Sequence, residues 1–144
     1  MVAIPTIDRG IVNSIVHSIE GLCDDAEQLV VGSGLAEYWS NAELDVLPED
    51  RVWMLVQRPA LSLDMPDVGL RVGAEFQVRD LGEFGRQLES GLTTYSCLTQ
   101  CIDTVNHYSS HAEFWLEQQP GGVWFCRHGI DLIDVGRAEV EQFT

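Results

Sequence analysis

Cys97, Cys101, His107 and His111 form the densest run of metal-binding residue types in the sequence. Thiolate and imidazole are the ordinary ligands of zinc. Cys97 and Cys101 stand one helical turn apart and can share a metal, but His107 follows sooner than zinc-finger spacing allows, and His111 falls at the end of the helix. The same four residues read as small core thiols and as polar groups where a helix exits, so no metal is expected. Cys126-Arg127-His128 is the one local group that suggests a nucleophile. A cysteine becomes reactive where cationic neighbours lower its pKa. On a strand, however, alternate residues share a face, so Cys126 and His128 point to one side and Arg127 to the other. Packing is therefore the expected role of Cys126.

Two further chemistries lack their patterns. The carboxylate pairs Asp24 and Asp25, and Asp131 and Asp134, flank expected helix starts or loops and read as caps and solvated faces. Gly69, Gly73, Gly82 and Gly85 form neither a G-x-G-x-x-G turn after a strand nor a Walker loop, so a nucleotide site is unsupported. No catalytic residue and no cofactor is assigned, and the chain is not expected to be an enzyme.

The elements that would position any site follow from periodicity. Ile7, Ile11, Ile15 and Ile19, with Val12 and Val16, repeat at helical spacing up to Gly21 and predict an amphipathic first helix. Asp24 with Glu27 has the form of a capping box opening a second helix that reaches Val31, before the Gly32-Ser33-Gly34 break. Ser40 with Glu43 repeats that form. Pro48 suits an early helical position ahead of Val52, Trp53, Leu55 and Val56, in a helix expected to bend or stop near Pro59. Asp80 with Glu83 opens a segment in which Leu81, Phe84 and Leu88 share a face. Thr93 or Thr94 caps another, carrying Leu98, Cys101, Ile102, Val105 and Tyr108. The period then changes to two: Ala112, Phe114 and Leu116 alternate with Glu113, Trp115 and Glu117. Gln119-Pro120-Gly121-Gly122 turns the chain into a returning strand from Val123 to His128. A lone hairpin is marginal in water, so this one must pack on the helices or pair further. Residues Arg137 to Phe143 again look helical, and the chain stops at Thr144 without a terminator, as if cut short. The expectation is an α+β fold, mostly helical, forming one domain over residues 1–144 with a small antiparallel sheet that includes the 112–128 hairpin.

Composition narrows the partners. With 144 residues, 45% of them hydrophobic, the chain can bury a proper core. It carries neither a secretory leader nor a long apolar span, which predicts a soluble, cytoplasmic protein. The formal net charge is -15, and all eight basic residues are arginine. Nucleic-acid affinity rests on Lys and Arg neutralising phosphates, so the chain is a poor candidate for unaided DNA or RNA binding, and anionic membranes are disfavoured for the same reason. The four cysteines sit among apolar residues and are expected to be reduced.

One arrangement stands out: Gly69-Leu70-Arg71-Val72-Gly73, then Leu81-Gly82-Glu83-Phe84-Gly85, then Thr93 leading the Cys97-Leu98 helix, then the hairpin. It resembles the N-terminal ligand-binding domain of AraC/XylS-type transcription regulators, in the branch where a "GLRLG-like" turn precedes a "GxxG" helix and a Thr-led amphipathic helix. The likeness runs from about Ile7 to Thr144 and takes in Leu47-Pro48, Val52-Trp53, Val123-Trp124-Phe125 and Glu139 to Phe143. Two positions depart from it: Thr94 stands where an apolar residue is usual, and Cys97 where a small alanine is usual. The resemblance implies a sensor that binds a small effector and controls a C-terminal DNA-binding domain of two helix-turn-helix units, absent from this sequence. It also implies a homodimer, because regulators reading paired half-sites match that symmetry. Trp53, Phe84, Trp115 and Trp124 are candidates for aromatic pocket walls, and Arg71 for holding an effector carboxylate. The alternative places the aromatics in the core and Arg71 in a surface ion pair. A stand-alone protein interaction module is the second functional reading.

Overall fold

A computed structural model describes residues 4–128 and Ala138. The fold is α+β and mostly helical, with two small antiparallel sheets. Strand β1 (Thr6–Asp8) leads into α1 (Arg9–Leu22), α2 (Ala26–Gly32), α3 (Ala36–Trp39) and strand β2 (Val46–Pro48). Helices α4 (Glu49–Ser62), α5 (Val68–Glu75), α6 (Gly82–Glu89) and α7 (Thr94–Thr104) follow, then the hairpin β3 (Phe114–Gln119) and β4 (Gly122–Arg127). Among the described residues, no helix is long and apolar enough to cross a membrane.

Helix α1 begins because the Asp8 carboxylate accepts the backbone N–H groups of Gly10 at 2.8 Å and Ile11 at 3.4 Å, both otherwise orphaned in the first turn. Its buried stripe of Ile11, Val12, Ile15, Val16 and Ile19 lies at the centre of the core, against α2, α4, α5 and α6. Helix α4 presents Val52, Trp53, Leu55, Val56 and Pro59 to the same core. It continues past Pro59 to Ser62 rather than stopping there.

Ile7 belongs to β1, not to the first helix. Three-residue strands show no readable period, and the first isoleucine of the series fits either element. β1 pairs antiparallel with β2, with Ile7 opposite Leu47. Its other edge takes up residues 108–110: the Asp8 N–H donates to Tyr108 O at 2.6 Å, and the Ser110 N–H donates to Thr6 O at 2.9 Å. One short strand therefore fastens the start of α4 to the segment that leads into the hairpin.

Arg9 does the corresponding work on the other side. Its guanidinium donates to the backbone carbonyls of Leu44 (2.6 Å), Trp39 (3.2 Å), Tyr38 (3.1 Å) and Asn41 (2.5 Å), and lies 5.6 Å from the Trp39 ring centre. These carbonyls belong to α3 and to the turn before β2, whose Tyr38, Trp39 and Leu44 are only partly buried against the core. Arg9→Ala should lower stability by about 2–3 kcal/mol, since hydrogen bonds to a charged group contribute roughly 1.5–3 kcal/mol each and are not additive. Arg9→Lys should recover little, because an ammonium cannot reproduce the planar fork. Urea midpoints of the three proteins check this.

Several capping motifs act differently from their sequence form. Asp25, not Asp24, precedes α2, and its side chain makes no cap. Ser40 ends α3, with its hydroxyl on Glu37 O at 3.2 Å, and residues 41–44 form a turn. The Asp80 carboxylate accepts the Gln77 N–H at 2.9 Å, capping a 3-10 turn (Val78–Leu81) that leads into α6. Thr93 is a working cap: its hydroxyl accepts the Ser96 N–H at 3.1 Å, and Ser96 Oγ accepts the Thr93 N–H at 2.9 Å. The segment Gly69 to Gly73, a turn by the resemblance, is helical throughout, with Val68, Gly69 and Val72 buried. The helix expected over Arg137 to Phe143 lies, Ala138 apart, outside the described residues.

Candidate functional site

The hairpin has two distinct faces. Its register sets Phe114 opposite Arg127, Trp115 opposite Cys126 and Leu116 opposite Phe125. Phe114 and Phe125 stack on one face with ring centres 5.2 Å apart. Trp115, Glu117, Trp124 and Cys126 occupy the other, where the Trp115 ring lies 6.2 Å from His128. The base of the first face closes over the helices and leaves a cavity of about 150 Å3. Ile7 and Ile11 line it from β1 and α1, Trp53 from α4, Phe84 from α6, and Cys101 and Val105 from α7 and the turn beyond it. Phe114, Arg127 and His128 close the hairpin side. Phe84 is itself braced by Tyr108, with ring centres 4.8 Å apart.

Glu49 sits in this wall with only 3% of its surface exposed. Pro48 starts α4 with Glu49 as its first residue, and the helical repeat then puts Glu49 on the stripe of Val52, Trp53 and Val56. A carboxylate in that stripe must find donors or carry a desolvation cost of several kcal/mol. Trp53 Nε1 donates to Glu49 Oε1 at 3.1 Å. Oε2 is buried and has no hydrogen-bond partner among the described residues. Burial pushes the Glu49 carboxyl above the usual range, while the Trp53 N–H, His111, the Ser109 hydroxyl and Arg127 pull it back in decreasing order. Ser109 thus stands close enough to favour the charged form, without completing a hydrogen bond to Oε2.

This predicts a pH signature. A carboxyl whose folded pKa is raised binds its proton more tightly in the folded chain. Its stabilising effect is full below the unfolded value and is lost as pH rises through the folded one. Glu49→Gln keeps an acceptor for Trp53 and removes the titration. The variant should therefore gain stability relative to the parent between mildly acidic and neutral pH. Urea unfolding of both proteins across that range checks it, and parallel pH curves would contradict it.

Of the residues singled out in the sequence, Trp53 and Phe84 meet in this cavity. Arg71 does not: it lies on α5 with its side chain 51% exposed, and its Nε donates to Asp67 at 2.9 Å. That contact holds the Asp67 carboxyl below the ordinary range. Trp115 (37% exposed) and Trp124 (59% exposed) lie on the outward face of the hairpin. Cys97 and Cys101 pack partly buried against the core, and burial, then Cys97, pushes the Cys101 thiol up to about 11. His111 Nδ1 lies 2.8 Å from Ser110 Oγ. Among the described residues, no group of three or more His, Cys, Asp or Glu side chains converges as metal ligands do. The Cys126 thiol lies 4.0 Å from Glu117 Oε2, on the hairpin's outward face.

Glu49 is the site residue that sequence reasoning missed. The signal was present: an acid three, four and seven positions before Val52, Trp53 and Val56 belongs to their face. Two wider clefts have other characters. One of about 600 Å3 has a mixed wall in which Asn13, Ser14, His17, Glu75 and Asp80 stand beside Leu22 and Phe76. The other, about 550 Å3, runs past exposed Leu92 and Tyr95. Neither contains a buried ionisable group, whereas the apolar cavity does. No family model, no curated protein and no solved structure matches the chain.

Proposed function

We propose that this chain is the effector-sensing domain of an AraC/XylS-type transcription regulator, with the cavity between α4, α6, α7 and the hairpin as its effector site. The observation that carries the reading is the cavity itself. A small-molecule site is a mainly apolar hollow with a few placed polar groups, and this one sets Glu49 among Ile7, Ile11, Trp53 and Phe84. The ordered series of Gly82-x-x-Gly85, the Thr93-led helix and the hairpin supports the family reading.

Its position also suits a sensor. The walls come from elements far apart in sequence, so a ligand that fits one arrangement of hairpin and helices better than another shifts the balance between them. The hairpin stands near the end of the described chain, where it can pass such a shift to a following DNA-binding domain. In this reading the acidic chain touches DNA only through that domain, works in the cytoplasm, is not an enzyme and forms a homodimer.

The coding sequence beyond codon 144 tests the family assignment. Continuation into two helix-turn-helix patterns of basic balance is the expected result, and a stop codon there would contradict it. The second reading, a stand-alone interaction module, is favoured by one observation: Val123, Trp124 and Phe125 are all exposed near the hairpin turn. Copurification of a stoichiometric protein partner that Trp124→Ala releases would favour it over the sensor.

A further inference from the structure

We infer that the ligand of the cavity is a small amine: a compact apolar body of about six to eight non-hydrogen atoms, bearing one protonated nitrogen that docks on Glu49 Oε2. The inference rests on the proposed role of this cavity as the effector site, and adds the chemical class of what enters it.

Size comes first. A volume of about 150 Å3 matches an apolar protein cavity known to hold benzene, so the ligand body is of that order. The walls set its character. Ile7, Ile11, Trp53, Phe84, Val105 and Phe114 offer carbon surface, which takes an apolar body and leaves stray polar groups unpaired.

Glu49 sets the head group. One of its oxygens is satisfied by Trp53; the other is buried, with the Ser109 hydroxyl nearby but no completed hydrogen bond among the described residues. Burial favours the neutral carboxyl, and a cation beside Glu49 offsets that burial by favouring the ionised form, which accepts hydrogen bonds and calls for a donor. A cationic donor forms a charge-assisted bond roughly twice as strong as a neutral one. The net charge of -15 acts in the same direction, concentrating small cations around the chain and repelling anions. Two cationic or potentially cationic side chains, Arg127 and His128, also line the cavity from the hairpin. Arg127 exerts the weakest of the influences acting on Glu49 and has an interaction of its own. The ammonium therefore sits at the α4 end, with the apolar body toward the hairpin.

The test uses four probes of nearly one shape and different heads: benzylamine, benzyl alcohol, toluene and benzoate, titrated calorimetrically at neutral pH into the full chain and into Glu49→Gln. Benzylamine should bind about tenfold or more tightly than the other three. Glu49→Gln should lose that preference while keeping its toluene affinity. The comparison within the unaltered chain stands even if the variant folds poorly. Toluene or benzyl alcohol binding as tightly as benzylamine, or a preference unchanged in Glu49→Gln, would overturn the amine inference and leave the cavity as an effector site. Binding by none of the four would overturn both.

Discussion

Gly85→Ala should lower the stability of the chain by about 3 kcal/mol or more, the upper end of what overpacking costs. A Cβ built on Gly85 would stand 1.7 Å from the carbonyl oxygen of Val78 and 2.8 Å from its carbon. Those atoms are backbone of the 3-10 turn that leads into α6, so no side-chain rotation relieves the clash. Either the turn or α6 must move, and α6 carries Phe84 into the core and the cavity. Gly82, three residues earlier, has φ +65, a conformation that a side chain would strain. The Gly82-x-x-Gly85 spacing thus has a mechanical reason: one glycine turns the chain and the other lets helix and turn touch. Thermal and urea unfolding of Gly85→Ala check the expectation. A parent-like midpoint would mean that α6 does not lie against residues 78–81.

Leu55→Ala should cost about 2–5 kcal/mol, the range for emptying a fully packed leucine site. Leu55 is 0% exposed, on the face of α4 that meets the core, and the residues around it are themselves largely buried. They have little freedom to collapse into the space. Leu70→Ala is the natural comparison. Leu70 is 59% exposed on α5, and its truncation should change stability by no more than about 0.5 kcal/mol. Comparable losses from the two substitutions would place α5 and α4 differently from the arrangement described above. The large difference between two leucines follows from burial alone.

Those two leucines also mark how far the sequence could be read. The stripe of α4 was legible because Val52, Trp53, Leu55 and Val56 recur at helical spacing. The hairpin was legible because Phe114 and Leu116 alternate with Trp115 and Glu117 around a Pro-Gly-Gly turn. The segment of α5 was expected as a turn through the resemblance alone. Tertiary packing overrides that expectation, for Val68, Gly69 and Val72 are buried against the core. The β1–β2 pair was hidden because three residues cannot show a period; it is held by backbone bonds that carry no residue signature. The Ser40 and Glu43 pattern failed because serine and asparagine favour turns for the same reason that they favour caps: a short side chain that bonds nearby backbone.

The site was legible in part. Trp53 and Phe84 follow from chemistry and spacing, and they meet. Arg71 carries the right group for an effector carboxylate but lies one helical turn from Asp67, and that local pairing holds it at the surface. Trp115 and Trp124 follow strand alternation to the outward face of the hairpin. Glu49 reads as an ordinary first-turn acid beside Asp50, which favours the positive end of a helix. Only its phase with Val52 and Trp53 separates a buried acid from a solvated one.

The most direct test of the proposed effector role of the cavity is thermal unfolding of the chain and of Ala112→Leu, which fills the cavity wall, against a panel of metabolites of about ten non-hydrogen atoms or fewer. A ligand bound only by the folded state stabilises it by about 2.7 kcal/mol at a hundredfold excess over Kd. At least one compound should raise the midpoint of the parent chain and leave Ala112→Leu unmoved. A panel in which no compound stabilises the parent, or in which every stabilising compound acts equally on both proteins, would contradict that role.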